Sequence, residues 1–237
     1  MSRIHRSAIS AAPVLLMLLC GATLRAQRPS ETALEVTFAF ERAGLQVPRF
    51  TLTVDQNGRG TYKGEQSEPV VRGVLAQPAT VVFEQKYELS SQTARRIFAL
   101  AGELDHFNIA CASKAKNVAD TGTKTLTYIA PGTTISCTFN YTENKNVAAL
   151  TDLFMAIAET MDEGRALDHL HRYDRLGLDA AMSFLTQQVS EGHALELGTI
   201  ATTLRSIADD AEVIERVRMR ARALLTLVPA QARQTTQ

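Results

Sequence analysis

The sequence contains no tryptophan, only three cysteines and no excess of charge of either sign, because 25 basic residues balance 25 acidic ones among 237. This balance excludes the electrostatic attraction on which nucleic-acid-binding domains depend. Hydrophobic residues make up 45% of the chain and charged residues 21%. Such a composition is typical of a globular protein with one or two cores, and it excludes disorder on a large scale.

Common catalytic motifs are also missing. There is no Gly-x-Ser-x-Gly elbow, no phosphate-binding glycine loop and no His-Glu-x-x-His. Ser113 and Lys116 match the Ser-x-x-Lys spacing of penicillin-recognising enzymes, but no Ser-Asp-Asn follows and Lys124-Thr125 continues with leucine instead of glycine. We therefore predict neither a cofactor nor a reaction from motifs.

The chain has no apolar run long enough to cross a membrane. Residues 8–19 form an apolar segment that Arg3 and Arg6 precede and small residues follow. A basic start, a short apolar run and small residues are typical of a secretory signal peptide. We predict that residues 1–26 are this signal peptide, cleaved after Ala26 or, as the alternative, after Ala22. The protein is then periplasmic or secreted.

Cys20 raises the alternative of a lipid anchor. Leu19 disfavours it, because the lipoprotein motif requires a small residue immediately before the cysteine. Removal of residues 1–26 takes away three arginines and no acid, so the formal charge moves from 0 to −3.

Alternating side chains predict two β-hairpins. The first turns at Asn57-Gly58, and its register depends on the loop length. A two-residue loop sets Leu52 opposite Lys63, whereas a three-residue loop with a left-handed Gly58 sets Leu52 opposite Tyr62. We favour the second register, because it keeps the tyrosine on the apolar face.

The second hairpin turns at Pro131-Gly132, and a tight register sets Leu126 opposite Cys137. Between the hairpins, the side-chain period changes at Ser90-Ser91, where a serine can cap a new helix. These patterns predict strands on both sides of a single helix.

From residue 144 onward only helical periodicity remains, and we predict that the first of these helices spans 146–163 and ends at Gly164. The predicted fold class is α+β: an antiparallel β-sheet built from two hairpins with helices on one face, followed by an all-α C-terminal extension. The predicted boundaries are 27–163 for the α+β domain, 164–228 for the helical module and 229–237 for a flexible tail.

This order of hairpin, strand, capped helix, hairpin and helix resembles a family of exported bacterial domains of unknown function. The resemblance covers residues 34–161 and depends on the patterns in 50–64 and 89–107. It implies the α+β fold and carries no catalytic residues.

Cys111 and Cys137 are the two cysteines left after the predicted cleavage. An even pair in an exported protein favours a disulfide, which would tie the loop after the first helix to the second hairpin. The alternative is two separate buried thiols, since cysteine packs well as a small apolar residue.

Acid and histidine pairs offer weak site candidates: Asp105 with His106, and Asp168 with His171. Either pair could transfer protons, but a solvated helix face or a histidine at a helix C-terminus is the more ordinary interpretation. His169 and His171 point about 200° apart on a helix and cannot bind one metal ion together. We predict no metal site.

Two functional hypotheses remain. The first is a non-catalytic binding or structural protein whose helical module contacts another envelope protein. The alternative is an exported hydrolase whose site is assembled from Asp105, His106, Asp168 and His171, which requires these residues to meet in one cleft.

Overall fold

A computed structural model describes residues 34–67 and 80–228 of the chain. The predicted signal peptide and the predicted tail lie outside these ranges, as does a short strand that the sequence pattern predicts at 70–75. The elements, in chain order, are β1 (Glu35–Glu41), β2 (Arg49–Asp55), β3 (Arg59–Ser67), β4 (Thr80–Glu88), α1 (Ser91–Glu103), β5 (Thr123–Ala130), β6 (Thr133–Phe139), α2 (Lys145–Tyr173), α3 (Leu178–Glu191), α4 (Ala201–Asp209) and α5 (Glu215–Thr226). Short 3₁₀ turns lie at Asp105–Phe107, Arg175–Gly177 and Leu197–Ile200.

The six strands form one antiparallel sheet in the order β4-β3-β2-β1-β5-β6. β1 pairs with both hairpins, so it joins them into one sheet. α1 lies between β4 and β5, and the helices α2 to α5 follow the strands in the C-terminal half of the chain. The α+β class predicted from the sequence is therefore confirmed.

The first hairpin has the predicted three-residue register. Leu52 lies opposite Tyr62, and Gly58 has a left-handed φ of 84°. The Asp55 carboxylate accepts hydrogen bonds from the backbone amides of Asn57 and Arg59, at 2.8 and 2.9 Å. These bonds close the turn through residues of the turn itself.

The second hairpin and the helix between the hairpins also follow the predictions. Leu126 lies opposite Cys137. Ser90 is the N-cap of α1, and its hydroxyl accepts a hydrogen bond from the Thr93 amide at 3.2 Å.

The main core lies between one face of the sheet and helices α1 and α2. At its centre, the rings of Phe38 in β1 and Phe154 in α2 are stacked with centroids 5.3 Å apart. Both side chains have no exposed surface. Because successive strand residues alternate between faces, every second residue of β1 and β2 contributes to this core.

A second apolar cluster occupies the C-terminal half, where Leu167 of α2 packs with buried residues of α3, α4 and α5. All described residues belong to one compact unit. None of the helices in residues 34–67 and 80–228 is both long and apolar enough to cross a lipid bilayer.

The prediction that Gly164 ends a helix is wrong. α2 continues through Gly164 to Tyr173, so the predicted 163/164 boundary falls inside a continuous helix. Gly164 has a packing role instead, because a Cβ atom there would lie only 2.2 Å from the Ile200 Cγ2 atom. The missing side chain lets the Leu197–Ile200 turn approach α2 closely.

Replacing Gly164 by alanine is expected to lower the free energy of unfolding by about 1 to 3 kcal/mol, because the methyl group overpacks the contact with Ile200. Urea unfolding followed by circular dichroism measures the change. Gly102→Ala in α1 is the matched control: its Cβ would meet no atom within 4 Å, so better helix propensity should stabilise that variant by up to about 1 kcal/mol. Equal shifts in both variants would contradict the packing role.

Candidate functional site

The four predicted site residues do not meet. Asp105 and His106 follow α1, whose Glu103 accepts a hydrogen bond from Asn146 at the start of α2, at 2.9 Å. His171 lies near the other end of α2, about 37 Å farther along its axis at 1.5 Å per residue. The cleft that the hydrolase hypothesis requires is therefore not formed by these residues.

Asp105 and His106 lie in an unusual turn. Asp105, His106 and Phe107 have φ angles of 48°, 54° and 70°, so three consecutive non-glycine residues are left-handed. The Asn108 side-chain amide donates to Asp105 at 3.1 Å, and the ring of His106 lies 4.4 Å from that of Tyr128 in β5. His106 directly follows the C-terminal end of α1, where the chain reverses hand, and Phe107 beside it is buried.

His171 and Asp168 each contact a polar partner in the helical half. His171 Nε2 lies 2.8 Å from Asp210 Oδ2, and Arg175 approaches the same carboxylate at 3.1 Å. The hydrogen bond from the Glu212 amide, then that of His171, hold the pKa of Asp210 below its usual value. Asp168 pairs with Arg172 at 2.9 Å instead.

The described part of the chain offers no metal centre. Across residues 34–67 and 80–228, no three His, Cys, Asp or Glu side chains are grouped so that they could bind one ion. The contact of His171 with Asp210 joins α2 to the segment after α4, whereas the Asp168–Arg172 pair lies within α2.

Cys111 and Cys137 form the predicted pair. Their Cα atoms are 5.8 Å apart and their sulfur atoms are at disulfide distance. Both residues are buried. The pair joins the segment after α1 to β6, as the sequence analysis expected.

The structure also brings together a polar group that the sequence analysis missed. We call Glu159, Asp162 and Glu163 of α2 the α2 acidic cluster. One oxygen of Asp162 accepts hydrogen bonds from the Tyr62 hydroxyl at 2.8 Å and from the Arg165 guanidinium at 2.7 Å. This contact joins β3 to α2 across 100 residues of sequence.

Arg165 is held in place by aromatic rings as well as by Asp162. Its guanidinium carbon lies 3.4 Å from the centroid of Phe83 in β4 and 5.9 Å from that of Tyr62. These contacts hold the positive charge of Arg165 between α2 and the sheet, where it compensates the negative charge of Asp162.

Burial raises the pKa of each acid in the cluster. For Glu163 the pKa reaches about 7, first because of burial and then because of the charges of Glu159 and Asp162. For Asp162 burial raises the pKa, while Arg165 and Tyr62 oppose that rise. Glu163 can therefore take up or release a proton near neutral pH, which is the chemical capacity of this cluster.

Glu163→Gln is expected to remove a pH dependence of stability. A glutamate whose folded pKa lies above its unfolded value favours folding at low pH, and this contribution is lost as pH rises from about 4.5 to about 7. Because the side chain is partly exposed, we expect the variant to gain only about 1 to 2 kcal/mol over the wild type at pH 8 and little at pH 5.

Urea unfolding at pH 5, 6, 7 and 8 measures this effect. Asp152→Asn, at an exposed position of the same helix, is the matched control and should leave the pH profile unchanged. Parallel profiles for Glu163→Gln and the wild type would refute the prediction.

A second carboxylate contact joins the helical half to α1. Glu196 accepts hydrogen bonds from the Ser90 amide at 2.8 Å, from the Ser90 hydroxyl at 2.7 Å and from the Thr93 hydroxyl. Glu196 itself has a left-handed φ of 60°. The strained backbone at Glu196 therefore positions its carboxylate at the N-terminus of α1, more than 100 residues earlier in the chain.

The end of α2 exposes two large apolar side chains. Tyr173 is 75% exposed and Leu176, in the following 3₁₀ turn, is 94% exposed. Arg175 between them is anchored to Asp210 and Glu212. We call Tyr173 and Leu176 the α2 corner.

These features define an α+β protein with a disulfide-linked sheet and a helical half tied to it by polar contacts. Comparisons with protein-family models, curated proteins and solved structures found no match for this chain.

Proposed function

We propose that this chain is an exported, non-catalytic binding protein that contacts another envelope protein through the α2 corner. The observation that carries the proposal is the exposure of Tyr173 and Leu176 on either side of an anchored Arg175. The Cys111–Cys137 pair and the signal-like pattern of residues 1–26 support export. The resemblance to exported bacterial domains is part of the same proposal.

Single exposed apolar residues are common on protein surfaces, so the support lies in how this corner is built. Arg175 has its guanidinium nitrogens 3.1 Å from Asp210 and 2.5 Å from Glu212. The turn is therefore ordered before a partner binds, which reduces the entropy that binding costs. A tyrosine and a leucine on a rigid turn suit a partner with an apolar pocket, because aromatic residues dominate the energetics of many interfaces.

The acidic cluster supports a scaffold role for the rest of the molecule. Asp162 is engaged by Tyr62 and Arg165, and Glu196 by Ser90 and Thr93. These carboxylates join elements that are distant in sequence. The polar groups between the sheet and the helices thus have a structural role, and no catalytic role is needed to explain them.

Site-specific photo-crosslinking in cells tests the binding function. A crosslinking amino acid at position 176 is expected to capture one partner, whereas the same group at Tyr141, which is 46% exposed near the other end of α2, should not. With the purified partner, Tyr173→Ala combined with Leu176→Ala should weaken binding about tenfold or more. Capture at both positions alike, or at neither, would contradict the proposal.

Export is tested separately by sequencing the N-terminus of the protein recovered outside the cytoplasm. We expect the mature chain to begin at Gln27. A lipid-modified Cys20, or a chain that retains Met1, would contradict this part of the proposal.

A further inference from the structure

The strand β4 forms one edge of the sheet. Its nine residues pair with β3, and in the part of the chain that the structure describes no strand lies along its other side. Near its N-terminal end, Val81 is 47% exposed and Val82 is 74% exposed. A long, regular and partly apolar edge strand is a template on which another strand can pair.

The hydrogen-bonding groups at this edge belong to alternate residues. The amide of Leu89, directly after β4, donates to the carbonyl of Gly58, directly before β3, at 2.8 Å. Because the backbone groups of successive strand residues point to opposite sides, the amides and carbonyls of Val82, Glu84 and Lys86 point away from β3. β4 therefore offers a row of donors and acceptors to a strand outside the sheet.

The other edge strand, β6, is shorter and more protected. It has seven residues, none of them charged, and the segment after α1 is bonded to the chain just beyond its end. The Ser113 amide donates to the Tyr141 carbonyl at 2.9 Å, and the Thr121 hydroxyl donates to the Asn140 carbonyl at 2.8 Å. β4 is therefore the more accessible of the two edges.

The charges of β4 determine which strand can pair with it. Glu84 and Lys86 are both exposed, and Glu84 lies 3.3 Å from Lys63 of β3. Among the residues that the structure describes, no carboxylate lies within ion-pair distance of Lys86. When two copies of β4 pair antiparallel about a two-fold axis at Gln85, Glu84 of each copy lies opposite Lys86 of the other. Unlike charges then meet at two positions.

The neighbouring registers lack this match. With Glu84 or Lys86 on the axis, two like charges would face each other. With Phe83 on the axis, Glu84 would face Val82 and no unlike charges would meet. With Tyr87 on the axis, only the last three residues of β4 would overlap. Charges on an edge strand usually prevent pairing between copies, but the order of charges in β4 is complementary to itself in one register.

We propose that two copies of this chain pair through β4, antiparallel and with Gln85 on the two-fold axis. Backbone hydrogen bonds and the covering of Val82 supply the affinity. The ion pairs select the register and the partner, since exposed pairs contribute little energy. A second copy is favoured over an unrelated segment because its own β4 carries the complementary charges. Pairing through β4 does not depend on the α2 corner.

Sedimentation velocity of the purified protein over a range of concentrations tests the proposal. We expect the wild type to form a dimer whose fraction rises with concentration. Glu84→Lys alone and Lys86→Glu alone should each weaken dimerisation about tenfold or more, because each change sets like charges opposite one another at both positions. An equimolar mixture of the two variants should dimerise again, because unlike charges then meet at both positions of the mixed pair.

Ser136→Lys, at an exposed position of β6, is the matched control and should dimerise as the wild type does. Circular dichroism checks that each variant is folded. In hydrogen exchange, the amides of Val82, Glu84 and Lys86 should become protected as the wild type dimerises. A wild type that stays monomeric would overturn the proposal and leave this edge to a segment of a different protein. A dimeric wild type whose two variants stay monomeric when mixed would also overturn it.

Discussion

Replacing Asp162 by alanine is expected to lower the free energy of unfolding by about 2 to 4 kcal/mol. The change leaves the Tyr62 hydroxyl without its acceptor, and it leaves Arg165 without its carboxylate between helix and sheet. Removing one member of a largely buried ion pair lowers the free energy of unfolding by more than the intact pair adds to it. The reason is that the remaining charge stays desolvated without a partner. Urea unfolding at pH 7, followed by circular dichroism, measures the loss.

Two controls separate this effect from general damage to α2. Asp152→Ala, at an exposed position of the same helix, should change stability by no more than about 0.5 kcal/mol. In a double-mutant cycle, Tyr62→Phe combined with Asp162→Ala should cost less than the two single changes together, since both remove one hydrogen bond. Strict additivity would show that the Tyr62–Asp162 bond contributes nothing to stability.

Removing the Cys111–Cys137 link by a double change to alanine is expected to cost about 3.5 kcal/mol. The pair is 26 residues apart, and closing a loop of that length restricts the unfolded chain by about this amount. Comparing the urea midpoint of the double variant with that of the oxidised wild type measures the effect.

The reduced wild type is the control for the lost packing of the two sulfur atoms. Because both cysteines are buried, reductant should act slowly on the folded protein and quickly in urea. Two thiols that react freely with iodoacetamide in the native oxidised protein would show that the link is not formed.

The hairpins could be predicted because everything that specifies them is local. Leu52 and Tyr62 are brought together by period-two alternation and by one glycine in the turn, all within a few residues. The same holds for Leu126 and Cys137, and for the Ser90 cap of α1. Local patterns therefore predicted the pairing of strands correctly.

Predictions failed where a residue serves a distant contact. Gly164 is a helix-stopping residue by type, yet here it makes room for Ile200 from another element. His171, a weak site candidate together with Asp168 of its own helix, instead contacts Asp210, 39 residues away. The residue pattern of a single helix cannot reveal these contacts, because the partner residues belong to other parts of the chain.

The sequence contains a weak indication of the α2 acidic cluster. Glu159, Asp162 and Glu163 lie at spacings of three and four residues on a helix whose neighbouring positions are deeply buried. What the sequence could not show is that Tyr62 and Arg165 meet Asp162 there, because the tyrosine comes from the first hairpin.

The contact of Glu196 with Ser90 has a consequence for the order of folding. Ser90 leaves the ribosome 106 residues before Glu196, which is a delay of about 5 to 20 s at ordinary rates of synthesis. During that interval the Ser90 amide and hydroxyl lack the carboxylate that binds them in the finished protein. Nascent chains that stop short of residue 196 should therefore be more susceptible to proteolysis at the start of α1 than the full-length protein.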